Sequence, residues 1–203
     1  MNNFYGLSSK LMSSTLQVTK GRYKNGMEID MGIYHGKTIE GKLPVVYDYH
    51  SGSKYTDLID IGYPSCYLIS DRFKAVLIDN NISGYKIFPV EIYKNRGKDQ
   101  IQGYNGLSIV GRCGPIDYMH GKVIDKQMCP TCPVFQVYKG LHFDINTWDG
   151  SDFFSMGRGG IFVTEKLMHL VMSEKLTNVK FTNIIDMEGD LSILKSANIP
   201  FRP

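Results

Sequence analysis

The chain of 203 residues lacks any long hydrophobic run. A membrane-spanning helix needs about 18 or more apolar residues in succession, and no window of the sequence approaches that length. The first residues, MNNFYGLSSKLMSSTLQV, also lack the continuous apolar core of a secretion signal. We therefore expect a soluble cytoplasmic protein with no membrane partner, and we expect its first twenty residues to fray or to form an edge strand.

The sequence also has little net charge. Lys and Arg exceed Asp and Glu by only 23 to 20, and the basic residues are spread along the chain. A nucleic-acid-binding protein normally gathers its positive charge on one face or element. The charge pattern therefore indicates no nucleic-acid partner, and a hydrophobic share of 42% fits a globular protein with a substantial core.

Cysteines are few, at positions Cys66, Cys113, Cys129 and Cys132. Because no export signal precedes them, we expect free thiols or a metal site rather than a disulfide framework. The CPTCP segment offers two thiolates suited to tetrahedral zinc, and Cys113 and His120 would complete a Cys3His site. A redox-active pair is a third use, but Pro133 and the extended VFQVY segment oppose the helix that such a motif normally opens.

The motifs of common catalytic sites are missing from the sequence. It has no GxSxG elbow, no HExxH pair and no phosphate-binding glycine loop, and its five histidines are scattered. In the WDGSD segment, Trp148 stands where a calcium loop needs an acidic or amide side chain, so we expect a turn that anchors this ring against the core. These patterns predict no catalytic residue and no cofactor other than the zinc of the alternative above.

The clearest local pattern is a strand, a capped helix and a returning strand. The YLI segment leads into Ser70 and Asp71, where Ser70 can accept a hydrogen bond from the first helical turn and Asp71 favours the positive end of the helix dipole. The helix should run to about Asn80, after which Gly84 provides a turn with positive φ. One apolar helix face is formed by Phe73, Val76 and Leu77.

The same pattern returns 94 positions later without a gap, because LISDRFKAVL and FVTEKLMHLV begin at Leu68 and Phe162. Thr164 replaces the Ser of the cap, and Asn178 stands where the first copy has its turn glycine. Gly and Asn are the residues that best tolerate the left-handed conformation. The similarity indicates an internal duplication, and the alternative is convergence on the common rules of caps and turns.

Two such modules, at about 66–93 and 160–187, predict an α+β fold. If the two strands of a module share a sheet, they should run parallel through a crossover, and short, mainly antiparallel strands should join the modules. We predict a single domain, residues 1–203, with an internal pseudo-repeat. A subdivision into 1–95 and 96–203 is the alternative.

These features together resemble the C-terminal signature of a group of bacterial polymorphic-toxin immunity proteins. The signature here is IFVTEKLMHLVMSEKLTNVKFTNI, with LISDRFKAVLIDNNISGYKIFPV as an earlier copy and KGLHFDINTWDGSDFF as its lead-in. The resemblance covers residues 65–93 and 139–187. A related group of immunity proteins carries paired CxxC motifs, of which this chain has one, from Cys129 to Cys132.

The resemblance implies a non-enzymatic cytoplasmic protein that binds and neutralises a cognate toxin, with no catalytic residue to carry over. The expected mechanism is occlusion by a preformed surface. Our candidates for that surface are the aromatic-bearing segments Tyr47–Tyr55 and Trp148–Asp152. One alternative is a structural subunit that assembles into large oligomers. Another is a zinc-stabilised domain or metal-dependent enzyme built on Cys113, His120, Cys129 and Cys132.

Overall fold

The computed structural model describes residues 3–10, 13–36, 43–63, 66–94, 97–156, 159–191 and Leu194. The strands are β1 (Phe4–Ser9), β2 (Gln17–Val18), β3 (Arg22–Tyr23), β4 (Val45–Ser51), β5 (Leu58–Tyr63), β6 (Cys66–Ser70), β7 (Tyr85–Lys94), β8 (Asp99–Ile101), β9 (Tyr104–Ile109), β10 (Arg112–Cys113), β11 (Lys122–Lys126), β12 (Phe135–Lys139), β13 (Phe153–Met156), β14 (Gly159–Thr164), β15 (Val179–Asn183) and β16 (Glu188–Asp190). The helices are α1 (Asp71–Asp79) and α2 (Glu165–Ser173), and short 3-10 helices lie at Met31–His35, Ile145–Thr147 and Ile184–Asp186. The predicted α+β class is confirmed.

The strands form three sheets. The large sheet has the order β2-β4-β7-β9-β6-β5, with β3 also paired to β4 and β8 to β7. The second sheet has the order β10-β13-β14-β1-β15, and the small sheet has the order β11-β12-β16. Most neighbours are antiparallel, while β4 with β7 and β10 with β13 are parallel pairs. In the described part of the chain, no helix is long and apolar enough to cross a membrane.

Each predicted module is a β-α-β unit whose two strands flank a third strand. β9 pairs antiparallel with both β6 and β7, so β6 and β7 run parallel to each other. In the second module, β1 pairs antiparallel with both β14 and β15, so these two strands also run parallel to each other. The strands of each module therefore share a sheet in the predicted parallel orientation, but an antiparallel strand separates them. The expectation that the first twenty residues fray or form an edge is wrong for β1, which lies in the interior of its sheet.

Both helices begin where the sequence places them. The Ser70 hydroxyl accepts a hydrogen bond at 3.0 Å from the backbone N–H three residues later, and the Thr164 hydroxyl accepts the equivalent bond at 3.4 Å. Such caps contribute about 1 kcal/mol each. The turns behind the helices use positive φ as expected, with 87° at Gly84 and 62° at Asn178. Local sequence chemistry therefore sets the start of each helix and the turn that leads into the returning strand.

The two modules share one hydrophobic core. The predicted inward face of each helix is confirmed, because Phe73 and Leu77 of α1 and Leu167 and Val171 of α2 are fully buried. The facing strands and turns complete this cluster with Leu7, Leu58, Tyr67, Ile69, Ile82, Leu107, Ile109, Phe153, Ile161, Val163, Leu176 and Val179. Since both modules contribute to the same cluster, neither buries its apolar face alone.

The opposite faces of the two main sheets are also covered. In the large sheet, Ile59 and Leu68 belong to a cluster completed by the N-terminal elements. In the second sheet, Phe154 and Phe162 belong to a third cluster that includes residues of the small sheet. Side chains of a strand alternate between its two faces, so both main sheets are buried on both faces where the modules meet.

Asp57, which precedes β5, connects the two modules. Its carboxylate accepts a hydrogen bond at 2.7 Å from the hydroxyl of Ser70, the cap of α1. The same carboxylate accepts bonds at 2.7 and 2.8 Å from the backbone N–H and the hydroxyl of Thr177, in the turn after α2. Asp57 therefore ties the start of one helix to the turn behind the other.

Asp152, which precedes β13, makes the reciprocal connection. It accepts a hydrogen bond at 3.0 Å from the hydroxyl of Thr164, the cap of α2. It also accepts bonds at 3.0 and 3.1 Å from the backbone N–H and the hydroxyl of Ser83, in the turn after α1. A basic side chain, Arg72 in one link and Lys166 in the other, lies within 3.5 Å of the carboxylate. The two links are thus alike in every partner type.

The central strands β1 and β9 also occupy equivalent places. Gly6 lies opposite Phe162 and Gly106 lies opposite Leu68, which are matched positions of the 94-residue offset. Each glycine is followed by Leu-Ser. A Cβ on Gly106 would lie 2.1 Å from the ring of Phe88, so a larger residue would clash there. The duplication itself stays a prediction, and the Gly-Leu-Ser repeat is the sequence signal that extends it to a third strand.

We predict that Asp57→Ala lowers the free energy of unfolding by about 1–3 kcal/mol, because it removes the buried carboxylate that accepts hydrogen bonds from Ser70 and Thr177. Urea unfolding followed by circular dichroism measures this change. Asp79→Ala, which removes an exposed carboxylate from α1, is the control and should stay within about 0.5 kcal/mol of the wild type. Equal stability of the Asp57 variant and the wild type would contradict the linking role.

The link also predicts a dependence on pH. Burial alone would raise the pKa of Asp57, but hydrogen bonds from Ser70 and Thr177 and the nearby charge of Arg72 outweigh burial and lower it. A lowered pKa stabilises the fold fully above the unfolded value of about 4, and this stabilisation is lost as pH falls through the folded value. The stability difference between wild type and Asp57→Asn should therefore be constant from pH 7 to about 5 and shrink below about 4. Urea midpoints measured across this range test it, and a constant difference down to pH 3 would refute it.

Candidate functional site

The four residues of the predicted zinc site do not come together. Cys129 and Cys132 are joined by a disulfide that closes the turn between β11 and β12. Cys113 lies in β10, with its Sγ 3.5 Å from the hydroxyl of Thr147. Within the described ranges, no group of three or more His, Cys, Asp or Glu side chains is arranged to hold a metal. The expectation of free thiols at both CxxC positions is wrong for this structure, because this short turn brings their Cα atoms to 5.1 Å, within disulfide range.

His120 lies in an exposed turn before β11. Its Nδ1 is 2.7 Å from the carboxylate of Asp117, and its ring centroid is 5.7 Å from that of His142. A hydrogen bond from the Met119 backbone and the contact with His120 lower the pKa of Asp117. His120 therefore takes part in a surface pair with a carboxylate rather than in a cluster with the cysteines.

The two segments predicted to form a binding surface are only partly exposed. Tyr47 is completely buried in β4, and Asp152 is the buried link between the modules. Trp148 packs 5.1 Å from the ring of Phe4 and donates its Nε1 hydrogen to the carbonyl of Ser151. Its predicted anchoring role is confirmed. Of the two segments, the part that stays accessible and aromatic is the end of the first one.

Tyr49 and Tyr55 from that segment meet at Lys94, the last residue of β7. The Lys94 Nζ lies 4.4 Å from the ring centroid of Tyr49 and 5.5 Å from that of Tyr55. It also donates a hydrogen bond at 3.0 Å to the Tyr55 hydroxyl, and this bond raises the pKa of Lys94. These cation–π contacts place the lysine between two rings.

Next to this cluster, strands β3, β4 and β7 line a groove of about 720 Å³. Register places Asp48 beside Tyr93 on neighbouring strands. Arg22 donates two hydrogen bonds to Asp48, and the Lys24 Nζ lies 2.8 Å from Glu91. The acidic and basic side chains are therefore paired within the chain, and the groove presents little net charge.

A second hollow, of about 500 Å³, includes both Tyr55 and Lys94 in its lining. The two hollows thus adjoin the same cluster of tyrosines around one lysine. We call this surface the Lys94 face, and it consists of Arg22, Lys24, Asp48, Tyr49, Tyr55, Glu91, Tyr93 and Lys94. Tyr and Arg are enriched in protein interfaces, so the arrangement suits recognition of another protein.

Comparison with protein families identifies the chain. The model of the Immunity protein family (Imm11) matches residues 10–186. The chain belongs to the Imm11 immunity protein family. The predicted resemblance to an immunity protein family of bacterial polymorphic-toxin systems is thereby confirmed. No match was found among curated proteins. The matched range covers both helices of this immunity protein and the whole Lys94 face.

Sequence reasoning did not single out Lys94, Arg22 or Glu91 of this immunity protein. A signal was present, because tyrosine recurs in VVYDYHSGSKY and EIYK, the two segments that meet in the structure. Their meeting depends on the parallel pairing of β4 with β7, which is not visible in either segment alone.

The cysteine arrangement predicts a thiol count. Air-oxidised immunity protein, denatured without reductant, should show two reactive thiols, those of Cys66 and Cys113, and four after reduction. Titration with Ellman's reagent measures both states. The control variant Cys129→Ser/Cys132→Ser should show two reactive thiols in either state.

Metal analysis of protein purified without chelator should find well below one zinc per chain. One zinc per chain that is lost in the Cys129→Ser/Cys132→Ser variant would contradict the arrangement.

Proposed function

We propose that this protein is a non-enzymatic binder that acts in the cytoplasm of the cell that makes it. There it binds a cognate toxin and blocks the toxin's active site. The observation that carries the proposal is membership of the immunity protein family over residues 10–186, which is most of the chain. The structure supports a binding role through a preformed surface of tyrosines and paired charges.

The Lys94 face is the surface that we assign to toxin binding. Tyr55 keeps 54% of its surface exposed, although its ring contacts Lys94 on one side. An exposed, fixed aromatic ring provides contact area at a low cost in conformational entropy, which is typical of residues that dominate interface energies. A stable complex buries about 800 Å² on each partner, so the interface would extend beyond this cluster to the adjoining grooves.

The segment that carries Tyr55 is held in place before any partner arrives. Gly52 has a φ of 83°, and a Cβ there would lie 1.9 Å from the carbonyl oxygen of Thr15. The backbone N–H of Lys54 donates a hydrogen bond at 2.9 Å to the carbonyl of Ser14. At the end of the segment, Asp57 is fixed by the link between the modules. Because little ordering remains to occur on binding, more of the contact energy is available as affinity.

Co-expression tests the function directly. The toxin gene encoded beside this chain should arrest growth when induced alone, and co-expression of the immunity protein should restore growth. Purified immunity protein should also inhibit the toxin's activity at a ratio of one to one. Equal growth arrest with and without the protein would refute the immunity role.

The assignment of the Lys94 face has its own test. Tyr55→Ala should weaken binding of a catalytically inactive toxin by about 10- to 100-fold, the cost of removing a central aromatic anchor. Ile78→Ala is the matched control, because both side chains are 54% exposed and Ile78 lies on α1, away from this face. Biolayer interferometry measures both. Unchanged affinity for Tyr55→Ala, with protection intact, would overturn the assignment of the face but not the function.

A further inference from the structure

Three lysines from separate parts of the chain surround a pocket of about 400 Å³. Lys10 follows β1, Lys54 precedes β5 and Lys175 follows α2, and all three are exposed. No Asp or Glu is among the described residues that line this pocket. It differs in this respect from the groove beside Lys94, where Arg22 and Lys24 are paired with Asp48 and Glu91.

None of the three lysines forms an ion pair with a carboxylate in the described part of the chain, whereas Lys24 and Lys166 do. The charge of Asp57, which follows Thr56, is already offset by the guanidinium of Arg72 at 3.5 Å. Like charges gathered at one place repel each other, and the repulsion falls off over the Debye length of about 8 Å at physiological salt. A negatively charged occupant would relieve this repulsion.

Part of the pocket lining is polar and fixed. Thr15, Thr56 and Asn178 line it and are at most 7% exposed. Thr56 and Asn178 both donate hydrogen bonds to the carbonyl of Leu58, at 3.0 and 2.8 Å. On the rim, Met172 is 62% exposed and offers an apolar contact. The pocket therefore combines positive charge, fixed polar residues and an apolar part formed by Val171, Met172, Leu176 and Val179.

This pocket is continuous with the Lys94 face. Thr56 lines both this pocket and the hollow that contains Tyr55. Lys54 immediately precedes Tyr55 in the segment that is held in place by Gly52 and Ser14. A partner that covers Tyr55 would therefore also reach Lys54. The continuity identifies the occupant as part of the same protein partner.

We infer that the three-lysine pocket binds an acidic segment of the toxin, carrying two or three Asp or Glu side chains. The inference rests on the proposed function, and it adds the chemistry of the partner. Lysine ammonium groups would donate charge-assisted hydrogen bonds to the carboxylates, and Met172 would contact an aliphatic part of the segment. A protein segment is favoured over single-stranded nucleic acid because no aromatic residue is among the described lining residues to stack with a base.

The first test measures association with a catalytically inactive toxin. Lys54→Gln/Lys175→Gln should lower the association rate constant about tenfold at 50 mM salt, and the loss should largely disappear at 500 mM salt. Lys122→Gln/Lys180→Gln is the control, because it removes the same charge from two exposed lysines outside the pocket and should stay within about twofold of the wild type. Urea midpoints establish that both variants fold. A rate unchanged in the pocket variant, or lowered equally in both, would overturn the inference while the proposed function stands.

The second test uses pentaglutamate as the probe and needs no toxin. In nuclear magnetic resonance titrations at low salt, the peptide should shift signals of Lys54, Lys175 and Thr177. The shifts should be lost in Lys54→Gln/Lys175→Gln and kept in the control variant Lys122→Gln/Lys180→Gln.

Absence of peptide binding, or binding that the pocket variant retains, would overturn the inference. Displacement of the peptide by an equal concentration of a ten-nucleotide single strand would overturn the assignment to a protein partner. If the pocket binds the peptide selectively but wild-type protein does not bind the toxin, the proposed function fails and the carboxylate site remains.

Discussion

The reciprocal links through Asp57 and Asp152 are the constraint on which the rest of the structure depends. Each carboxylate joins the first turn of one helix to the turn behind the other helix, so the relative position of the two modules is fixed at two places. Separation of the modules would break the hydrogen bonds from Thr177 to Asp57 and from Ser83 to Asp152, and bonds to a charged group contribute about 1.5–3 kcal/mol each. The shared core between the sheets is aligned by the same links. The segment that carries Tyr55 ends at Asp57, so the position of Tyr55 depends on the link through Asp57 too.

Local features of the fold were predictable because they depend on neighbouring residues. The caps at Ser70 and Thr164 and the turn at Asn178 follow from side-chain chemistry within a few positions. The role of β1 was not predictable in this way, because its partners lie more than 150 residues further along the chain. The link from Asp57 to Thr177 likewise spans 120 residues. Periodicity identified the modules, but the antiparallel strand inside each of them depends on long-range pairing.

The surface that we propose for toxin binding was predicted in part for the same reason. In the predicted segment Tyr47–Tyr55, the accessible aromatic side chains lie at the end. Tyr47 itself is buried in a cluster with the N-terminal elements. Lys94, which organises the two remaining tyrosines, comes from a strand 39 residues away from Tyr55. The CxxC spacing suits both a disulfide and half of a zinc site, and the sequence alone does not distinguish them. The sequence shows which chemical groups are present, while the order of the strands in the sheets determines which of these groups come into contact.

The interior position of β1 has a consequence for how the protein is made. This strand is synthesised well before β14 and β15, the strands that it joins, which follow it by more than 150 residues. The second sheet therefore stays incomplete until β15 has emerged, and contacts between such distant segments form slowly. The Lys94 face lies in the large sheet, whose strands come from the earlier part of the chain, so on a nascent chain it can be assembled before the module that fixes Asp57 exists. A cell that relies on this protein would therefore gain its fully stabilised form only after the second module has been translated.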